Sequence, residues 1–185
     1  MVKTDLSKYN NDWFDEGAGV VKRTLWFITN ALVLINPLNP LSGIKIFFLR
    51  LFGAKIGKGV VIKPGVNIKY PWKLVVGDYT WIGERVWIDN LDQVTVGKNC
   101  CLSQESFVLI GNHNFTKETF DLMVAPVIIE DGVWLGARSI VTGGITCKSH
   151  SVLAVNSVAS QSIDANCIYR GNPAVKVKER VIEDV

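Results

Sequence analysis

The chain has 185 residues, 20 basic and 17 acidic side chains and a formal net charge of +3, a length that builds one buried core with an appendage and not two ordinary domains. No Lys/Arg run is present that would track a phosphate backbone, which argues against nucleic acid as a partner. The four cysteines, Cys100, Cys101, Cys147 and Cys167, lack a paired spacing and read as buried free thiols in a reducing, cytoplasmic setting.

The first segment, residues 1–52, opens on acids and amides where a secretory signal would need a basic and then an apolar stretch, so no export signal is visible. The apolar run "LWFITNALVLI" from Leu25 to Ile35 is about half the roughly 20 residues that span a bilayer. With Lys22 and Arg23 before it and "IKIFFLRLFG" after Pro37 and Pro40, the region is expected to form two amphipathic helices. They either cover one end of the core or rest peripherally on a membrane face.

From Ile56 onward an aliphatic residue recurs every six positions, with a small or β-branched residue four places after it: IGKGVV, IKPGVN, VGDYTW, IGERVW, VGKNCC, LSQESF, then IEDGVW, LGARSI and others. A fixed period marks a solenoid, and a period of six is not helical. Each aliphatic side chain is expected to point into a common core, with polar residues and glycines at tight turns, giving stacked coils of short parallel strands over residues 53–170. The register shifts by about two residues after Ile68 and after Ile88, as small corner loops would cause. A longer interruption, residues 109–128, holds His113, one of two histidines. Residues 171–185 read as a tail.

A side chain that must reach a ligand cannot point into a packed solenoid core, so this interruption is the natural place for chemistry. Gly111 releases the chain from its coil, Asn112 and Asn114 suit turns, and Pro126 returns it to an extended path. His150, in CKSHSV, falls at an outward or turn position.

These hexads resemble the left-handed parallel β-helix of the hexapeptide-repeat acyltransferases, over roughly Gly53 to Lys178. Within that family "LRLFGAKIGKGVVIKPGV", "WIGERVWIDNL", the Gly-x-His-x loop, "IEDGVWLGA" and "GNPAVKVK" are similar to the O-acetyltransferases of exopolysaccharide synthesis, of the colanic acid type. The resemblance implies an all-β solenoid with an N-terminal helical segment and an extruded catalytic loop. It implies acetyl transfer from acetyl-CoA to a hydroxyl of a saccharide or lipid-linked saccharide, within a homotrimer whose active site lies between subunits.

By the same resemblance His113, in Gly111-Asn112-His113-Asn114 where relatives have Gly-Ser-His-Asp, is the general base; a neutral alcohol independently needs one. Glu105, Asp121, Asp89 or a backbone carbonyl would orient it. A backbone N–H near Gly136 and Ala137 would stabilise the oxyanion. Coenzyme A would run past Ala137, Val155 and the Ser160–Gln161 pair, with Lys176 reaching its phosphates. On the acceptor side, Asp89 and Asn90 interrupt the hexads with groups suited to sugar hydroxyls, and Asn112 lies beside the base. Trp81, Trp87 and Trp134 would face outward toward sugar or a neighbouring subunit. No metal is expected, since two histidines cannot form the three-histidine site of the carbonic anhydrases that share this solenoid. The alternatives are an N-acetyltransferase of an amino sugar or xenobiotic on the same scaffold, and a non-catalytic solenoid binding module.

Overall fold

The computed structural model describes residues 2–184. From Lys55 the chain winds as a parallel solenoid with three faces. The first face stacks Lys55–Ile56, Leu74–Val76, Val94–Val96, Val127–Ile129 and Thr146–Cys147. The second stacks Val61–Ile62, Trp81–Ile82, Cys101–Leu102, Trp134–Leu135, Val152–Leu153 and Cys167–Gly171. The third stacks Asn67–Ile68, Trp87–Asp89, Phe107–Leu109, Ile140–Thr142 and Val158–Ala159.

The hexad explains this directly. The aliphatic residue of each strand, such as Ile62, Ile82, Leu102 and Leu135 on the second face, is fully buried. The residue four places on fills the corner behind it: Val66, Val86, Ser106 and Ser139 are buried in turn. The residue three places on makes the turn. Tyr79, Arg85, Asn99, Glu105, Arg138, His150, Asn156 and Asn166 all adopt left-handed backbone with φ between 54° and 59°. The N–H of each donates to a carbonyl of the coil below, as from Arg138 to Gln104 at 2.9 Å and from His150 to Asp131 at 2.8 Å. His150 is therefore a corner residue.

The early coils are longer than the late ones. Lys55 pairs with Val75 and Val75 with Thr95, 20 residues per turn, whereas Ile128 pairs with Thr146 and Trp134 with Val152, 18 per turn. The extra two residues sit at the corner after the third face, where Pro71–Lys73 form a 3-10 turn. Between Thr95 and its partner Ile128 lies the long interruption.

Two helices close the start of the solenoid. Helix α1, Val20–Thr29, runs into a π-helical turn at Asn30–Leu34, and helix α2 is Ser42–Leu51. Their inner side satisfies the backbone groups that the first coil leaves open, one face at a time. Arg50 donates to Ile56 O at 2.7 Å on the first face. Ser42 Oγ donates to Ile62 O and accepts from Ile62 N, both at 3.0 Å, and buried Lys45 adds a bond to Ile62 O at 3.2 Å on the second. Trp26 Nε1 donates to Ile68 O at 2.9 Å on the third. Of the two roles open to these helices, covering the end of the core is the one their inner side performs.

At the other end, the segment read as a tail carries a strand, Ala174–Glu179, antiparallel to Cys167–Gly171. Arg180 then donates to Gly132 O at 3.0 Å and His150 O at 3.1 Å, tying down two stacked corners. Cys100, Cys147 and Cys167 are buried thiols, but Cys101 is half-buried on the outward side of its strand.

Ser42→Ala leaves the Ile62 N–H without its acceptor at a covered edge. It is expected to lower stability in chemical denaturation by about 1–3 kcal/mol; a change within error would show that this edge needs no cap.

Candidate active site

His113 stands at the corner between the third and first faces. The interruption there is an ordered hairpin: Asn112–His113 pairs antiparallel with Leu122–Met123. Asn112 is thus a strand residue, not the turn residue expected. Its neighbour Gly111 starts the hairpin, and a Cβ there would meet the Leu91 side chain.

The imidazole is held on two sides by one residue. Its Nδ1 lies 2.9 Å from the carbonyl oxygen of Phe120. A carbonyl only accepts, so Nδ1 carries the hydrogen and Nε2 is left with a free lone pair. The Phe120 ring stacks on the imidazole with centroids 4.4 Å apart and 9° between planes, and Phe120 itself has left-handed backbone, φ 52°. None of the three carboxylates considered as the orienting group fills that role. Hydrogen bonds from Lys117 and Thr119 hold the Asp121 carboxyl below the usual carboxylate range. Glu105 is lowered by its hydrogen bond and ion pair with Arg138 and by Arg85. Asp89 pairs with Lys69 at 2.9 Å.

A cleft of about 400 Å³ opens beside the histidine, lined by His113, Asp89, Lys69 and Tyr70 together with Tyr9 and Glu16 of the N-terminal segment. The segment is clipped to the hairpin by an Asp5 N–H to Glu118 O bond of 2.9 Å and a Lys8–Glu118 pair at 2.7 Å. Lys69, Tyr70, Tyr9, Glu16 and Phe120 were not anticipated. For Lys69 a signal existed, since a coil of 20 residues places it directly below Asp89, as the Ile68–Ile88 pairing shows.

The other acceptor candidates sit elsewhere. Asn90 is fully buried and structural: its Oδ1 accepts from Tyr70 N at 2.9 Å and its Nδ2 donates to Tyr70 O at 2.6 Å and Lys73 O at 3.1 Å, pinning the corner turn. An asparagine that breaks the hexad does so here to bind backbone, not ligand. Asn112 alternates with His113 along the strand and lines a separate hollow of about 200 Å³ under the hairpin with Met123 and Gly143.

The donor-side candidates fall into three places. Gly136, Ala137 and Val155 stack at the corner between the second and third faces. A Cβ on Gly136 would lie 2.6 Å from Val155 N, and Asn156 N donates to Ala137 O at 3.0 Å. The Gly136 N–H is engaged by Leu153 O at 2.7 Å, so of the two only the Ala137 N–H remains a candidate for an oxyanion. Ser160 and Gln161 are exposed after the strand Val158–Ala159, at the corner from which the hairpin rises. Lys176 lies on the second face opposite Tyr169, 3.8 Å from Glu179. Within one chain His113 and the Ala137–Val155 corner are not brought together. Trp81, Trp87 and Trp134 are exposed as expected, Trp87 stacked on Phe107 at 4.6 Å.

No family model matches the chain. It is 38% identical over 177 residues, 96% of this chain and 97% of the other, to the Escherichia coli protein WcaF, which is named for acetyl transfer in colanic acid biosynthesis. The chain belongs to the hexapeptide-repeat acetyltransferases of the colanic acid type. Its fold is their left-handed parallel β-helix. The crystal structure of a hexapeptide-repeat acetyltransferase of Vibrio cholerae with acetyl-CoA superposes with TM-score 0.81 at 19% identity, covering 91% of this chain and 93% of that one. A galactoside acetyltransferase with coenzyme A superposes with TM-score 0.77 at 20% identity, covering 86% and 80%. The chain is an acyltransferase and acetyl-CoA is its co-substrate. Among the described residues no three His, Cys, Asp or Glu side chains group as metal ligands.

If the Phe120 carbonyl sets the tautomer, ¹⁵N spectra of histidine-labelled protein at neutral pH will show His113 protonated at Nδ1 and bare at Nε2. The opposite tautomer would mean that the contact is not a hydrogen bond in solution.

Proposed function

We propose that the protein transfers acetyl from acetyl-CoA to a hydroxyl of a saccharide, free or lipid-linked, in exopolysaccharide or other surface-glycan synthesis, with His113 as general base. The observation that carries this is the Nδ1–Phe120 carbonyl contact, which leaves Nε2 as a proton acceptor beside a polar cleft. The acceptor hydroxyl oxygen attacks the thioester carbon as Nε2 takes its proton, and the tetrahedral intermediate holds its negative charge on the former carbonyl oxygen. Collapse breaks the C–S bond, and the imidazolium returns the proton to the departing thiolate of coenzyme A.

An acyl-enzyme is not needed, and the buried thiols are poor nucleophiles. Burial pushes Cys147 up to about 12, and it raises Cys100 as well. Asp89 and Lys69, with Tyr70 and Tyr9, supply the polar and aromatic surface a sugar requires. We assign the Ala137 N–H to the oxyanion, Ala137, Val155, Ser160 and Gln161 to coenzyme A, and Lys176 to its phosphates.

Because the base and the Ala137–Val155 corner are apart in one chain, the reading includes a homotrimer, with His113 of one copy facing the donor corner of the next. Outward Trp81, Trp87 and Trp134 are suited to that contact. The reading places the enzyme in the cytoplasm, where free thiols persist, meeting lipid-linked acceptors at the inner membrane face. Among the described residues no helix is long and apolar enough to cross a membrane.

The test is free-thiol release from acetyl-CoA across a panel of hydroxy and amino sugars. His113→Ala is expected to lower turnover by about 10²–10⁴-fold while keeping the thermal shift given by acetyl-CoA. Unchanged turnover in the variant would overturn the base, and turnover confined to amino acceptors would overturn the O-acetyl assignment.

A further inference from the structure

The helical cap carries apolar side chains on its outer face as well as its inner one. Its inner side buries Trp26, Leu34 and Leu49 together with Asn30 and Lys45, while Val21, Leu25, Ile28, Leu32 and Ile35 form an exposed stripe along α1 and the turn that follows it. On α2, Ile44, Phe47 and Leu51 continue this exposure at helical spacing, and between the helices Leu38 is 87% exposed. An apolar surface of this extent marks an interaction site rather than scattered residues.

Charge identifies the partner. Between Gly17 and Gly77 there are nine lysines and arginines and no aspartate or glutamate; Lys45 is buried and Arg23 and Lys69 pair with Glu16 and Asp89, which leaves six without an acidic partner among the described residues. Apolar and basic groups meet in a concavity of about 720 Å³ between α2 and the first coil, lined by Ile46, Phe47 and Leu51 together with Arg50 and Lys58. Lys55 and Lys63 are exposed on the same first coil. A second copy applied face to face would oppose like charges at the same patch.

We propose that the outer face of the cap docks on an anionic phospholipid membrane, with the stripes of α1 and α2 at the acyl boundary and Arg50, Lys55, Lys58 and Lys63 at lipid phosphates. This orientation has a consequence for the candidate site. Lys69 and Tyr70, which line the His113 cleft, belong to the first coil, the one the cap covers. A membrane-held acceptor therefore meets the cleft from the docked end. That consequence rests on the proposed function, whereas the docking itself does not.

The experiment is flotation of the full-length protein with vesicles of phosphatidylcholine alone or mixed equally with phosphatidylglycerol, at low and high salt. The protein is expected to float with the anionic vesicles, to be released by salt, and to stay behind with the neutral ones. Lys55→Ala with Lys58→Ala should weaken binding by about thirtyfold, and Phe47→Ser with Leu51→Ser should remove it at either salt concentration. Solution mass by light scattering and the acetyl-CoA thermal shift, measured on each variant, report assembly and folding without reference to turnover. Equal flotation on both lipids, or none, overturns the proposal. So do apolar variants that keep vesicle binding but change the solution mass, which would make the face a contact between copies.

Discussion

Lateral pairing between coils governs the rest of this molecule. Each strand is only two or three residues long on most faces, far too short to hold alone, so stability comes from stacking identical registers on top of one another. Stacking has a cost at its ends. The first coil presents open N–H and C=O groups on three faces, and the chain answers with one polar side chain or pair per face: Arg50, Ser42 with Lys45, and Trp26. The inner side of the cap therefore sets these polar groups among Trp26, Leu34 and Leu49, which pack on the core. The remaining apolar side chains of α1 and α2 lie on the outside.

The corners obey the same rule. Left-handed backbone is disfavoured for a residue with a side chain by roughly 1–2 kcal/mol, yet the solenoid places bulky residues there coil after coil. The conformation turns each N–H toward the carbonyl of the coil beneath, which offsets the strain. A corner side chain then projects outward and stacks on its counterpart, as Arg138, Glu105 and Arg85 do. A rigid frame of this kind leaves its packed interior closed, so candidate sites lie on the inserted hairpin and along the outer corners.

This division explains what could be read from the sequence. The hexads were legible because inward residues must be aliphatic at every strand, and His113 stood out as a candidate because a histidine in the long interruption has no duty in the repeat. The orienting group was not legible: a backbone carbonyl of Phe120 leaves no mark on residue type. Asn90 was misread because a buried asparagine serving backbone and an exposed one serving a sugar break the pattern identically. Lys69 was legible in principle, since the two-residue register shift after Ile68 makes a coil of 20 residues and sets it under Asp89. The cap residues were invisible, since Ser42 and Lys45 look like ordinary surface polar residues until the open edge they meet is known.

The separation of the His113 corner from the Ala137 corner follows from the same geometry. Ala137 precedes the third face and the hairpin follows it, so the two corners are set apart by a whole side of the coil, well over the roughly 10 Å that its three-residue strand alone spans. Acyl transfer needs its reacting atoms about 3–3.5 Å apart. A solenoid cannot bend one corner toward another, because every face is locked in register above and below. A second copy alongside, on the proposed reading, closes that distance without distorting the coils. On the proposed reading, assembly is thus a requirement of catalysis imposed by the rigidity that makes the fold stable.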